Sequence, residues 1–154
     1  MKKVVFSVLV MAACCLVFVG CIKNRPYVTT TNPTMTADVG TFKFVAAAVQ
    51  PATIDTQITD TSTTLVITGY SSDRVHPYDK IVLYIANYKG VTGTYSIVQG
   101  QAGAIYYHGI ATGRALGGIV SVTNVTSTLV TGYFSFNTDD GVAVTNGKYT
   151  VNTP

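Results

Sequence analysis

Glutamate and tryptophan are absent from this chain, histidine occurs twice, and cysteine is confined to Cys14, Cys15 and Cys21. The missing tryptophan and the three arginines leave no ready carbohydrate platform or interface anchor. With no cysteine after residue 21, the rest of the chain forms no internal disulfide and must fold on its core alone. Charged residues make up only 11% of the sequence. The ten Lys and Arg against seven Asp fall nearly into balance once Lys2 and Lys3 are set aside, which gives no support for nucleic-acid binding.

The one long apolar run lies at the start. Met1-Lys2-Lys3 is a short basic opening, and from Val4 to Val19 only Ser7 is clearly polar. This is the pattern of an export signal. The run ends on Phe18-Val19-Gly20-Cys21, which resembles the lipobox of bacterial lipoproteins, with an apolar residue three before the cysteine and a small one directly before it. Phe18 stands where leucine is usual. Met11-Ala12-Ala13-Cys14 is a second match, but cleavage there would leave Leu16 to Gly20 as an apolar remnant without evident use. An uncleaved membrane helix is the other rival, since Val4 to Ile22 approaches the length that crosses a bilayer. A cysteine at the boundary, after glycine and before a polar stretch, favours the lipoprotein. The expected organisation is therefore a signal peptide over residues 1–20, a lipidated Cys21 with a tether to residue 33, and a domain over residues 34–154. Two prolines and no apolar period mark Lys23 to Pro33 as extended linker.

What is abundant is threonine, 24 residues in all, with valine and tyrosine. These residues favour strands, and no segment after residue 33 has helical periodicity. The class is all-β, a single antiparallel domain of about 8–9 short strands forming a β-sandwich or partly closed barrel. The alternation predicts strands at Thr34–Val39, Thr41–Val49, Thr64–Tyr70, Lys80–Asn87, Tyr95–Val98, Ala104–His108, Gly117–Thr123, Thr128–Asn137 and Val142–Val151. Val120 and Val122 against Val130, Phe134 and Phe136 make the clearest hairpin, and Asn137 to Gly141 the next reversal. Ile81, Leu83 and Ile85 share one face of their strand while Val82, Tyr84 and Ala86 share the other, so both faces are apolar. Central burial is the default reading of such a strand, a cavity wall or a subunit contact the alternatives. The recurrent Thr-Gly pairs ending at Gly69, Gly93, Gly113 and Gly132 are irregularly spaced and read as bends or close packing rather than a repeat.

Gly93-Thr94-Tyr95-Ser96-Ile97, Tyr106 and Tyr107, Gly118 to Thr123, Val130 to Phe136 and Val144 to Tyr149, with the opening Met35-Thr36-Ala37, together resemble a family of small Bacteroidota lipoproteins of unknown function. The resemblance covers Thr34 to Val151 and implies an exported, lipid-anchored β domain. It assigns no functional residue. Surface-exposed lipoproteins of that group carry acidic residues soon after the cysteine, and Ile22-Lys23-Asn24-Arg25 has none, so the expected location is the outer membrane, facing the periplasm.

Chemistry is sparse. No nucleophile elbow, phosphate loop, dinucleotide fingerprint or zinc spacing occurs, so the expectation is a non-catalytic protein without a metal or other cofactor. Asp73, His76 and Asp79 share a polar loop that reads as solvated rather than as a metal site. Tyr106 and His108 fall on one side of a strand and Tyr107 on the other. Asp139-Asp140-Gly141 fits a hairpin turn and fails as a calcium loop, because Phe136 and Thr138 fall where carboxylates are needed. The leading functional reading is a lipid-anchored interaction module that binds another envelope protein or polymer through its loops or a sheet edge. Its alternative is a carrier of a small apolar molecule, with Tyr84, Tyr106 and His108 as candidate ligand-facing residues and Tyr133 beside them. A hydrolase using His76 or His108 with a neighbouring Asp ranks third.

Overall fold

The structure, a computed structural model, describes residues 33–49, 53–56 and 63–153. The export segment, Cys21 and the tether lie outside the described residues. Ten strands follow one another: β1 Thr34–Val39, β2 Phe42–Val49, β3 Thr53–Thr56, β4 Thr63–Ser71, β5 Lys80–Ile85, β6 Gly93–Ser96, β7 Ala102–His108, β8 Ala111–Val125, β9 Leu129–Thr138 and β10 Ala143–Asn152. Every pairing is antiparallel, in the order β2-β1-β10-β9-β8-β7-β5-β4-β3. A further pairing of β2 with β4, through Ala46 with Ser71, Ala48 with Tyr70 and Val49 with Gly69, closes eight strands into a barrel. Of the two expected architectures the barrel is therefore the one adopted.

Strands β3 and β6 stand outside the ring. Each shares an edge with a longer neighbour, β3 along Thr63 to Val66 of β4 and β6 along Ile119 to Val122 of β8. Neither β3 nor the first part of β8 was expected. Thr53–Thr56 lies in a polar run without alternation, and β8 starts at Ala111 rather than Gly117 because Ala111 to Arg114 pair with His108 to Ile105 of β7, ahead of a bulge between Ala115 and Gly117 in the ladder with β9.

Alternation places one face of each strand on the barrel axis, as in β1, where Met35, Ala37 and Val39 are buried and their neighbours are not. Phe44, Leu65, Ile67, Phe134, Phe136 and Tyr149 fill the axis with large side chains. Ile81, Leu83 and Ile85 of β5 join them, fully buried, while Val82 and Tyr84 point outward beside Ile105 and Gly103 of β7. Both faces of this strand are thus largely covered, the default expectation.

Three of the four Thr-Gly glycines lie under a neighbour. A methyl group on Gly69 would meet Met35 Sδ at 2.6 Å, one on Gly113 would meet Asp140 Oδ1 at 2.7 Å, and one on Gly132 would collide with the Ser121 carbonyl and the Tyr149 hydroxyl. The bare backbone of Gly132 makes room for the Tyr149 hydroxyl, which donates to the Ser121 carbonyl at 2.9 Å.

The two ends of the barrel differ. Thr34, Asn152, Val125, Ala102, Ile85 and Thr63 bound one end, where Tyr88 and Tyr95 meet edge to face at 6.4 Å. The Tyr88 hydroxyl is buried there with no hydrogen-bond partner among the described residues. Two substitutions at this end should therefore move stability in opposite directions. Tyr149→Phe removes a satisfied buried hydrogen bond and should lower unfolding free energy by about 1–2 kcal/mol, whereas Tyr88→Phe removes an unsatisfied hydroxyl and should leave stability unchanged or raise it by about 1 kcal/mol. Urea denaturation of both variants checks the pair.

Candidate functional site

At the opposite end, the mouth, the chain makes its turns between β1 and β2, β4 and β5, β7 and β8, and β9 and β10. Two of these turns carry the histidines. In the first, the Asp79 N–H donates to the His76 carbonyl at 3.2 Å across Pro77 and Tyr78, and the Ser71 N–H donates to the Asp79 carbonyl at 2.8 Å. Proline suits the second position of such a turn because its φ is already set. The second is the two-residue hairpin Gly109-Ile110 between His108 and Ala111, with Gly109 at the positive φ of 59° that this turn demands of its first residue.

Asp79 is the centre of the site. It is 2% exposed, and its carboxylate collects three donors. The Tyr106 hydroxyl donates to Oδ2 at 2.5 Å, the Gly109 N–H to Oδ1 at 3.2 Å, and His108 Nδ1 stands 3.0 and 2.9 Å from Oδ1 and Oδ2. An ionised carboxylate only accepts, so His108 must carry its proton on Nδ1. In the neutral ring the lone pair is then on Nε2. The His108 side chain is 54% exposed, and its described hydrogen bonds are all made at Nδ1. Tyr106 is driven the other way. Burial first, then its hydrogen bond to Asp79 and the charges of Asp79 and Asp140, raise its phenol far above the usual tyrosine value and keep it protonated.

His76 completes the cluster. Its ring stacks on Phe42 at 4.8 Å and lies 5.3 Å from the His108 ring. Ligand atoms of His76, Asp79 and His108 all lie within 4.8 Å of one another. The cluster borders an open cavity of about 400 Å³ whose walls include Phe42, His76, Tyr106, His108, Asp140 and Val142. Val75 and Tyr78, on a neighbouring cavity that shares His76 and His108, are exposed, and so is Ile110 in the β7–β8 turn.

The fold thus unites residues that the sequence kept apart. His76 and Asp79 do meet, but Asp73 does not join them: its Oδ1 accepts the Val75 N–H at 2.8 Å and serves its own loop. The reading of this loop as merely solvated is corrected for Asp79, which β7 covers. Among the candidate ligand-facing residues, Tyr106 and His108 face the mouth, while Tyr84 lies on the outer wall and Tyr133 is exposed on β9. These four do not line one cavity, because residues of opposite parity on a strand occupy opposite faces. Phe42 and Asp140 were missed as site residues, and only the positions of their turns at one barrel end would have signalled them.

Two outcomes test the site. Asp79→Asn should cost about 2 kcal/mol or more, since hydrogen bonds to a buried charge are the stronger kind, and it should move the His108 proton from Nδ1 toward the ordinary Nε2–H form, seen in the imidazole 15N shifts. In alkaline titration, Tyr106 and Tyr149, both raised mainly by burial, should resist ionisation at 295 nm. Because their folded values exceed the unfolded ones, the stability they contribute is complete below about pH 10 and is lost as pH rises above it, so unfolding should set in on the alkaline side. Comparison with known protein families, with curated proteins and with solved structures yields no match to this chain.

Proposed function

We propose that this chain is a lipid-anchored, non-catalytic binding module of the bacterial cell envelope, held at the outer membrane through Cys21, facing the periplasm, and offering its barrel mouth to an envelope protein. The lipobox ending at Cys21 and the resemblance to small Bacteroidota lipoproteins support the anchor. The observation that carries the binding reading is the polarity of the barrel. The domain is entered at Thr34, at the end plugged by Tyr88 and Tyr95, while the open cavity and the exposed apolar side chains of the β4–β5 and β7–β8 turns are at the other end. A tether at the plugged end turns the mouth away from the lipid surface. Exposed Val75, Tyr78 and Ile110 around a concave, partly apolar site suit a protein contact.

The non-catalytic reading draws on the hydrogen bonds of His108, whose described side-chain partners are Asp79 and Tyr106 and include no serine, threonine or cysteine hydroxyl or thiol to activate. A carrier of a small apolar molecule is the second reading. Its place would be the mouth, where the described cavity beside Tyr106 and His108 offers about 400 Å³.

The test is made in intact cells of the source. The mature protein should have the mass of residues 21–154 plus acyl chains, and Cys21→Ser should abolish both lipidation and membrane association. A photo-crosslinker at Ile110 should capture a discrete envelope protein that one at Thr128, exposed at the opposite end, does not. Equal capture from both ends, or none from Ile110, overturns the binding reading; an unprocessed chain overturns the anchor.

A further inference from the structure

The histidine pair at the mouth has the makings of a metal site. Two imidazoles stand side by side, with ring centres 5.3 Å apart, on two different turns. Each is held in place by something other than a metal: His76 by stacking on Phe42, His108 by the buried Asp79 carboxylate. Asp79 in turn is fixed by Tyr106 and Gly109, so its oxygens already have their partners. A carboxylate that grips one nitrogen of an imidazole and leaves the other bare is the arrangement that orients metal-ligating histidines and raises their basicity. The His108 side chain that carries the bare Nε2 is 54% exposed.

The same residues are poorly explained by packing alone. An exposed imidazole needs no buried carboxylate to hold it, and burying Asp79 takes a charge out of water. Phe42, itself packed against the core, stacks on the loop histidine.

We propose that His76 and His108 bind one divalent cation of the zinc and copper type, with Asp79 as the outer group that orients His108 and water completing the coordination. Imidazole suits these borderline ions, whereas calcium and magnesium demand oxygen ligands that the pair does not supply. Two nitrogens on one tetrahedral ion lie roughly 3.4 Å apart, and a ring nitrogen of His76 lies within 4.8 Å of one of His108. Exposed Asp140 on the same cavity wall adds negative charge nearby. The proposal deepens the binding reading by naming a ligand of the mouth, and it does not depend on the anchor or on any protein partner.

The experiment uses the untagged protein as isolated from its own cells in detergent, whatever its processing, with Zn2+ and Cu2+ alone as probes. Calorimetry should give one Zn2+ per chain, and electron paramagnetic resonance of the Cu2+ form should show two imidazole nitrogens. His76→Ala and His108→Ala should each weaken Zn2+ binding by about a hundredfold, and Asp79→Asn by about tenfold. Circular dichroism establishes that each variant is folded. Should Asp79→Asn fail to fold, the wild-type 15N spectrum still decides, since Zn2+ must shift Nε2 of His108 and leave Nδ1 protonated. The proposal is overturned if folded wild-type protein binds no ion at about 0.1 mM free Zn2+. Binding that survives in the His76→Ala/His108→Ala double variant overturns it equally. Both results are obtained on isolated protein, so a missing envelope partner does not affect them.

Discussion

Closure of the sheet between β2 and β4 is the constraint on which the other features rest. Without the pairing of Ala46, Ala48 and Val49 with Ser71, Tyr70 and Gly69, the sheet would keep two free edges and its apolar face would have no partner layer. There is no helix among the described residues to cover it, and after residue 21 no cysteine to staple it. Rolling the sheet until its ends meet lets one face serve as its own core, so Met35 and Phe44 from the start of the domain pack with Val144 and Tyr149 from its end. The bulges and the glycines beneath Met35 and Tyr149 allow the curvature that closure requires.

Closure also creates the two unlike ends. Large side chains along the axis leave little room inside, and the aromatic pair of Tyr88 and Tyr95 finishes one end. At the mouth the strands hand over to turns, and polar groups from four turns converge where the core stops. Asp79 stands at that boundary. It is covered enough to hold a fixed set of donors, and those donors come from β7 and from the hairpin that follows it. A single buried charge therefore ties the β4–β5 turn to the β7–β8 turn and leaves a histidine nitrogen facing outward.

Much of the fold was legible in the chain. Nine of the ten strands were visible because apolar and hydroxyl residues alternate along them, as in Val130 to Phe136, and turn residues separate them. The two-faced strand Lys80–Ile85 was read correctly as a central one. Strand β3 escaped because its residues, Thr53 to Thr56, lack alternation and are recruited by the free edge of β4. The start of β8 escaped because Ala111 to Leu116 has no clear apolar alternation and joins the sheet by pairing with the end of β7.

The candidate site was legible only in fragments. Parity along a strand was enough to pair Tyr106 with His108, and turn chemistry was enough to put His76 and Asp79 in one loop. That Asp79 would sit against His108, 29 residues away, depends on β5 and β7 being neighbours in the ring, and no local pattern encodes which strands become neighbours. The same limit misled the reading of Tyr84, whose face could be assigned relative to its own strand but not relative to Tyr106 on another. By itself, then, the sequence determined the all-β class, the strand faces and the chemistry of each turn, since these follow from interactions within a few residues. The closed ring, the filled axis and the meeting of His76, Asp79 and His108 were decided by tertiary structure alone, because they arise from register between strands distant in the chain.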